Sequence, residues 1–108
     1  MEERRMFARF NVEFPVKFLD LNTNREGTGK IINISAGGGG MIVTKEDLQP
    51  STPLEMQFFI PDDKDPLHAN GKVIWSKLTE PDVYTAGVQF DKVDFMGIAR
   101  ALRLHNFK

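Results

Sequence analysis

Two stretches of this chain carry residue types at spacings that suit an anionic, planar ligand. The first is the arginine cluster Arg4, Arg5 and Arg9. A guanidinium is always charged and presents a planar fork of donors. That fork can clamp a phosphate, or read the O6/N7 edge of guanine through two parallel hydrogen bonds. Arg5 and Arg9 are four apart, so they share a face whether the segment is helical or extended. The second stretch is NISAGGGG, residues 33–40. Asn33 and Ser35 are two apart and project from one face of a strand. The amide of Asn33 can both accept and donate, and the hydroxyl of Ser35 can do either. Gly37 and Gly38 permit positive φ and close backbone approach, and consecutive N–H groups there can form an anion nest. Each stretch also has a plain reading. Arginines beside Glu2 and Glu3 can be a frayed terminus, and a glycine run can be a tight turn with a bulge. Four glycines nevertheless exceed what a hairpin turn requires.

Other chemistry finds little support. A metal centre needs clustered ligands, and the two histidines, His68 and His105, are far apart in sequence. Asp62, Asp63 and Asp65 lack the glycine and distal glutamate of a calcium loop and read as a solvated turn. GTGK at 27–30 has Asn24 where a phosphate loop has its first glycine, and Ile31 follows the lysine in place of Ser or Thr. No serine sits in a nucleophile-elbow pattern. An enzyme reading therefore has no constellation behind it.

The elements that position the two stretches are strands. Phe10, Val12, Phe14, Val16 and Phe18 alternate with Asn11, Glu13, Pro15 and Lys17, which predicts a half-buried strand. Odd-numbered residues then face outward, Arg9 among them. Pro15 cannot donate to a ladder, so an edge or a bulge is expected there. Residues 21–29 read as a polar turn. KIINIS follows as a strand with Ile32 and Ile34 inward, which puts Asn33 and Ser35 on the exterior. MIVT, LEMQFFI, residues 67–77 and residues 83–90 complete about six short strands. Such spacing suits antiparallel pairing, and closure into a barrel removes open edges. Phe95, Ile98, Ala99 and Leu102 recur at helical spacing, so a C-terminal amphipathic helix is expected over 92–106, capped by Asp91 or Asp94.

With 108 residues, the chain suffices for one domain. Fourteen basic and fifteen acidic side chains give a net charge of −1, so no global field draws DNA or an anionic membrane. Any anion site must come from local clustering. The absence of cysteine removes disulfides and thiolate zinc sites and fits a reducing compartment. No window reaches the length of a membrane span, and the start lacks the apolar stretch of a signal peptide. The expectation is a cytoplasmic protein with no membrane insertion.

Taken together, the two stretches resemble the signature of the PilZ domain: Arg-x-x-x-Arg, then Asp/Asn-x-Ser-x-x-Gly some twenty to thirty residues later. Arg5-Met-Phe-Ala-Arg9 supplies the first element, and Asn33-Ile-Ser35-Ala-Gly-Gly38 supplies the second. VEFPVKF, GKVIWSK with Ile74 and Trp75, and YTAGVQF with Gly87 and Phe90 resemble the family's strands, so the likeness covers essentially the whole chain. It implies an all-β, six-stranded antiparallel barrel of split-barrel type with a C-terminal α-helix. The layout would be an arginine arm over 1–9, a barrel over 10–91 and a helix over 92–106. It implies a non-enzymatic receptor for cyclic di-GMP, with the ligand on the outside of the barrel. Arg5 and Arg9 would grip guanine and phosphate, Asn33 and Ser35 a guanine edge, and Gly37 and Gly38 would let the ligand approach. Arg4, just before the first motif arginine, implies an intercalated pair of cyclic di-GMP molecules. The arm would order on binding and signal to a downstream protein. Gly39, where the family places a larger apolar residue, departs from the pattern. Two other readings stand beside this one. The first is a PilZ-like adaptor working by protein contacts alone. The second is a small barrel for single-stranded nucleic acid, which would want aromatics interleaved with a basic groove. No DNA or RNA partner is expected.

Overall fold

Alternation in the first strand is what the core uses. Phe14, Val16 and Phe18 of β1 (Arg9–Asp20) are buried, whereas Glu13, Pro15 and Lys17 are exposed. The computed structural model describes residues 9–35, 38–61 and 65–91, with Arg9 described by its backbone. Five further strands follow: β2 (Arg25–Ser35), β3 (Gly39–Thr44), β4 (Pro53–Phe58), β5 (Leu67–Glu80) and β6 (Val83–Phe90). All ladders are antiparallel, and they close in the order β1-β2-β3-β6-β5-β4. Within the ring, closure leaves no edge for another strand to add to.

The interior is filled from every strand. Ile31 and Ile34, Ile42, Leu54, Met56 and Phe58, Leu67 and Val73, and Ala86, Val88 and Phe90 join the β1 residues. Leu48 and Ile60, from the connections on either side of β4, pack against them. Phe58 and Phe90 meet with ring centroids 5.8 Å apart and tilted by 57°, within the range of favourable aromatic pairs.

Neither an edge nor a bulge falls at Pro15: it pairs with Lys30 in register within the closed barrel, and the β1–β2 register shifts earlier, between Asn11 and Phe14. The proline itself sits where the β4 ladder ends. Its carbonyl accepts the N–H of Phe59 at 3.0 Å, just beyond that ladder.

Two expectations for β2 are corrected. The polar turn is confined to 21–24, where Asp20 Oδ1 accepts the N–H groups of Asn22 (2.9 Å) and Thr23 (3.2 Å), and Asn24 takes φ 60°. The strand then begins at Arg25, so Gly27 and Gly29 are strand residues. They are glycines because of crowding: a Cβ on Gly27 would lie 2.6 Å from the Phe18 ring, and one on Gly29 would lie 2.3 Å from the Val43 carbonyl oxygen. Second, Ile31 and Ile34 face inward, whereas Ile32 is only half-buried. The β2–β3 register shifts between Ile31 and Asn33, and this bulge at Ile32 switches the inward parity from odd to even. The expected exterior placement of Asn33 and Ser35 depends on that switch. The expected helix over 92–106 and the arm over 1–8 lie outside the described residues.

Candidate functional site on the barrel wall

The β2–β3 hairpin carries the second motif, and its turn is closed by Gly38. The Gly38 N–H donates to the Ser35 carbonyl at 3.0 Å, and the Gly38 carbonyl accepts the Phe90 N–H at 2.7 Å. Gly38 has φ 105°, a conformation that L-residues adopt only under strain. The motif glycine is therefore required by the backbone, and it ties the hairpin to the end of β6.

Register then brings distant segments together in two rungs across the outer wall. In one, the backbone of Arg9 pairs with Ser35, Ser35 with Gly39, Gly39 with Gln89 and Gln89 with Lys72. In the other, Asn11 pairs with Asn33, Asn33 with Met41, Met41 with Gly87 and Gly87 with Trp75. The rung between them (Phe10, Ile34, Gly40, Val88, Val73) turns the opposite way, with Ile34, Val88 and Val73 in the core. Asn33 and Ser35 thus share the outer face, as their spacing predicts. Asn33 is half-buried, and Ser35 is 7% exposed, more covered than a surface pair would be.

Of the residues singled out in the sequence, the structure places Asn33, Ser35, Gly38 and the backbone of Arg9 at one end of the wall. Arg4, Arg5 and Gly37 lie outside the described residues, as do Asp62 and Asp63. The rungs add Asn11, Met41, Gly87, Gln89 and Trp75, whose place in the patch depends on pairing between segments far apart in the chain. One local signal did point to them. Gly87 interrupts the strand VYTAGVQF on its outward parity, and a strand glycine marks close approach. The approaching group is Trp75: a Cβ on Gly87 would lie 2.3 Å from the indole Nε1. Trp75 nevertheless remains 41% exposed and Ile74 51%. Together with Gly39, Gly40, Met41 and Gln89 they line a cleft of about 220 Å³ beside the polar pair.

Nearby electrostatics are local. Lys30 Nζ donates to Glu13 Oε2 at 2.7 Å across β1 and β2. That hydrogen bond, and then the lysine charge, hold the Glu13 carboxyl below its ordinary range. A larger cleft, of about 390 Å³, lies on the β1–β4–β5 wall and contains none of the motif residues. Its lining opposes Lys17 to Glu26 and Glu55, so it offers no concentration of one charge. Among the described residues no group of three or more His, Cys, Asp or Glu could hold a metal ion. Among them, too, no helix is long and apolar enough to cross a membrane.

Fold and site together define a small closed all-β barrel whose candidate site lies on its outer wall and not in its interior. Residues 3–103 match the PilZ domain family, and the chain belongs to it. PilZ domains are non-catalytic receptor domains, and the family generally binds cyclic di-GMP. No curated protein matches in sequence. Solved structures match in fold. The Bacillus subtilis inhibitor of motility MotI/DgrA superposes with a TM-score of 0.71 at 16% identity over 94% of this chain, which spans 49% of the length of that one. The PilZ domain of the Escherichia coli protein YcgR with cyclic di-GMP gives 0.66 at 13% identity, covering 94% of this chain and 88% of that one. The PilZ domain of CeSA from a cellulose-synthesizing bacterium gives 0.64 at 16% identity, covering 90% of this chain and 93% of that one.

Proposed function

We propose that the chain is a cyclic di-GMP receptor that holds its ligand on the outer wall and passes the signal to a protein partner. The observation that carries this reading is the pairing of Arg9 with Ser35. Antiparallel partners lie roughly 4.5–5.5 Å apart at Cα, so the two halves of the signature meet at one rung although 25 residues separate them in the sequence. Arg5 and Arg9 supply the forks for guanine and phosphate. Asn33 and Ser35 supply the neutral donors and acceptors for a guanine edge. Gly37 and Gly38 keep the hairpin turn clear of side chains on the ligand's path. Arg4 adds a third guanidinium, able to stack on a base or to pair with the phosphate of a second, intercalated ligand molecule.

The coupling is a population shift. The ligand favours the arrangement in which residues 1–9 lie over the wall, and that arrangement presents a new surface to the partner. The YcgR PilZ domain carries cyclic di-GMP, and MotI is an inhibitor of motility. Both fit a module that converts the nucleotide into a protein contact. Isothermal titration with cyclic di-GMP tests the reading on wild type and on Arg5→Ala. Micromolar or tighter binding that the substitution abolishes is expected. Absence of binding to the wild type refutes the receptor reading and leaves an adaptor acting through protein contacts alone.

A further inference from the structure

The ring of ladders stops short of the end of β5. β4 begins at Pro53, opposite Lys72, whereas β5 runs on to Glu80. Val73 still has a neighbour on that side: its N–H donates to the Thr52 carbonyl at 2.9 Å, and its carbonyl accepts the Ser51 N–H at 2.7 Å. From Ile74 to Glu80 the backbone of β5 bonds to β6 alone among the described residues. Antiparallel alternation turns every second N–H and C=O of such a run away from its one partner. The run is an open strand edge, the feature through which one sheet adds to another.

The edge carries side chains suited to pairing. Ile74 is 51% exposed, Trp75 41% and Leu78 58%, and Lys77 is exposed among them. Ser76 turns the opposite way, on the rung of the buried Ala86 and Ile42. Its Oγ is the one buried side-chain polar atom among the described residues that has no hydrogen-bond partner, a state that folded proteins rarely leave without a reason.

Symmetry narrows the register in which this edge can meet its own copy. Two copies pair antiparallel about a twofold axis, and the axis passes between one residue and itself. At Lys77 it would set two ammonium groups directly opposite, which is unfavourable. At Trp75 or Leu78 it would run into the bulges at Ile74 and Thr79, where the β5–β6 register shifts. At Ser76 it sets Trp75 opposite Lys77 of the second copy, twice over, and brings the two Ser76 hydroxyls together. The first contact is a cation–π pair and the second a cross-strand hydrogen bond. Bulges and a lysine are also what keeps an edge from pairing at random; here they leave one register open.

We infer that the β5 edge around Ser76 is a self-association surface, which joins two copies of this chain in a twofold dimer with one sheet running through both. The contact is short, so the dimer belongs to the weak, transient class of interfaces. This inference is independent of the receptor reading.

Sedimentation velocity tests it on the wild type at concentrations up to about 1 mM, the range of weak association. The average mass should rise from the 12.3 kDa of the monomer toward twice that value. Lys77→Glu, checked for folding by circular dichroism, should weaken the association about 5- to 30-fold, since it removes two exposed cation–π contacts at once. A wild type that stays monomeric throughout overturns the inference, and so does a dimer that folded Lys77→Glu leaves unchanged. Ser76→Cys reads the register separately, because the chain has no cysteine of its own. Opposed residues lie roughly 4.5–5.5 Å apart at Cα, within reach of a disulfide. With copper phenanthroline as oxidant, Ser76→Cys should form a linked dimer faster than the exposed control Lys45→Cys, although its side chain is more covered. Cross-linking no faster than in the control overturns the proposed contact.

Discussion

Replacing Gly38 by alanine should destabilise the barrel through a single backbone angle. At φ 105° a Cβ incurs strain of about 1–3 kcal/mol. The alternative is for the turn to relax to negative φ. It would then lose the Gly38 N–H bond to Ser35 and the Phe90 N–H bond to Gly38, each contributing about 0.5–1.5 kcal/mol. Both routes cost about the same, so the destabilisation does not depend on which one the chain takes. Alanine also lowers the entropy of the unfolded chain, which returns about 0.4–1 kcal/mol. At the middle of these ranges a net loss of about 1.3 kcal/mol remains, and at about 4–8 °C per kcal/mol for a domain of this size it lowers the Tm by about 5–10 °C. Thermal unfolding followed by circular dichroism measures it, with Gly39→Ala as the neighbouring control. Gly39 has no positive φ, and among the described residues its Cβ would meet the Val88 carbonyl oxygen at 3.3 Å, a tight approach that a small backbone shift relieves, so its variant should lose less Tm than Gly38→Ala does. A Gly38→Ala Tm equal to that of wild type would refute the reasoning. Equal losses in the two variants would refute it as well, since the effect would then belong to glycine in general and not to the turn.

Two further outcomes follow from the site and its surroundings. Ser35→Ala should weaken cyclic di-GMP binding by about 1 kcal/mol, roughly fivefold, for one hydrogen bond; an effect no larger than that of the exposed control Lys45→Ala contradicts its contact role. Carbon-13 titration of the Glu13 carboxyl should show a midpoint below the ordinary glutamate range, returning to it in Lys30→Met. Because the folded-state pKa is the lower one, the pair stabilises the fold above the ordinary pKa, and its contribution disappears as pH falls through the folded value. The pair is exposed, so added salt should shrink the difference. Identical midpoints in the two proteins would show that Lys30 does not act on Glu13.

The strand count and the antiparallel pairing were legible because β1, β4 and β6 alternate with few interruptions. The start of β2 was not. Gly27 and Gly29 have the composition of a turn, and only the Phe18 ring and the Val43 carbonyl, brought close by pairing, show why glycine is needed within a strand. Bulges hide in the same way. Nothing local to KIINIS reveals that Ile32 is the extra residue, yet that one position decides which isoleucines face the core. At the site, Asn33, Ser35 and Gly38 were legible because their spacing is fixed within one hairpin. Trp75, Met41 and Gln89 were not assigned to it, since their neighbourhood is created by the β3–β6 and β5–β6 registers. The larger apolar residue that the family places at position 39 marked Gly39 as a departure from the pattern. The structure puts it inside a strand, facing a cleft.

The hydrogen bond from Phe90 to Gly38 has a mechanical consequence for the whole chain. It fixes the last strand against the motif hairpin, while the first strand starts opposite Ser35 on the hairpin's other side. The chain thus enters and leaves the barrel at one rim, with the hairpin held between the two strands. A displacement of that hairpin pulls on both flanking segments at once, as a shared anchor pulls on two tethers. The opposite rim, formed by the 21–24, 45–52 and 81–82 connections, carries neither tether. A dye or affinity tag placed there would sit away from the motif hairpin, whereas the same label placed at the start of β1 or the end of β6 would sit beside it.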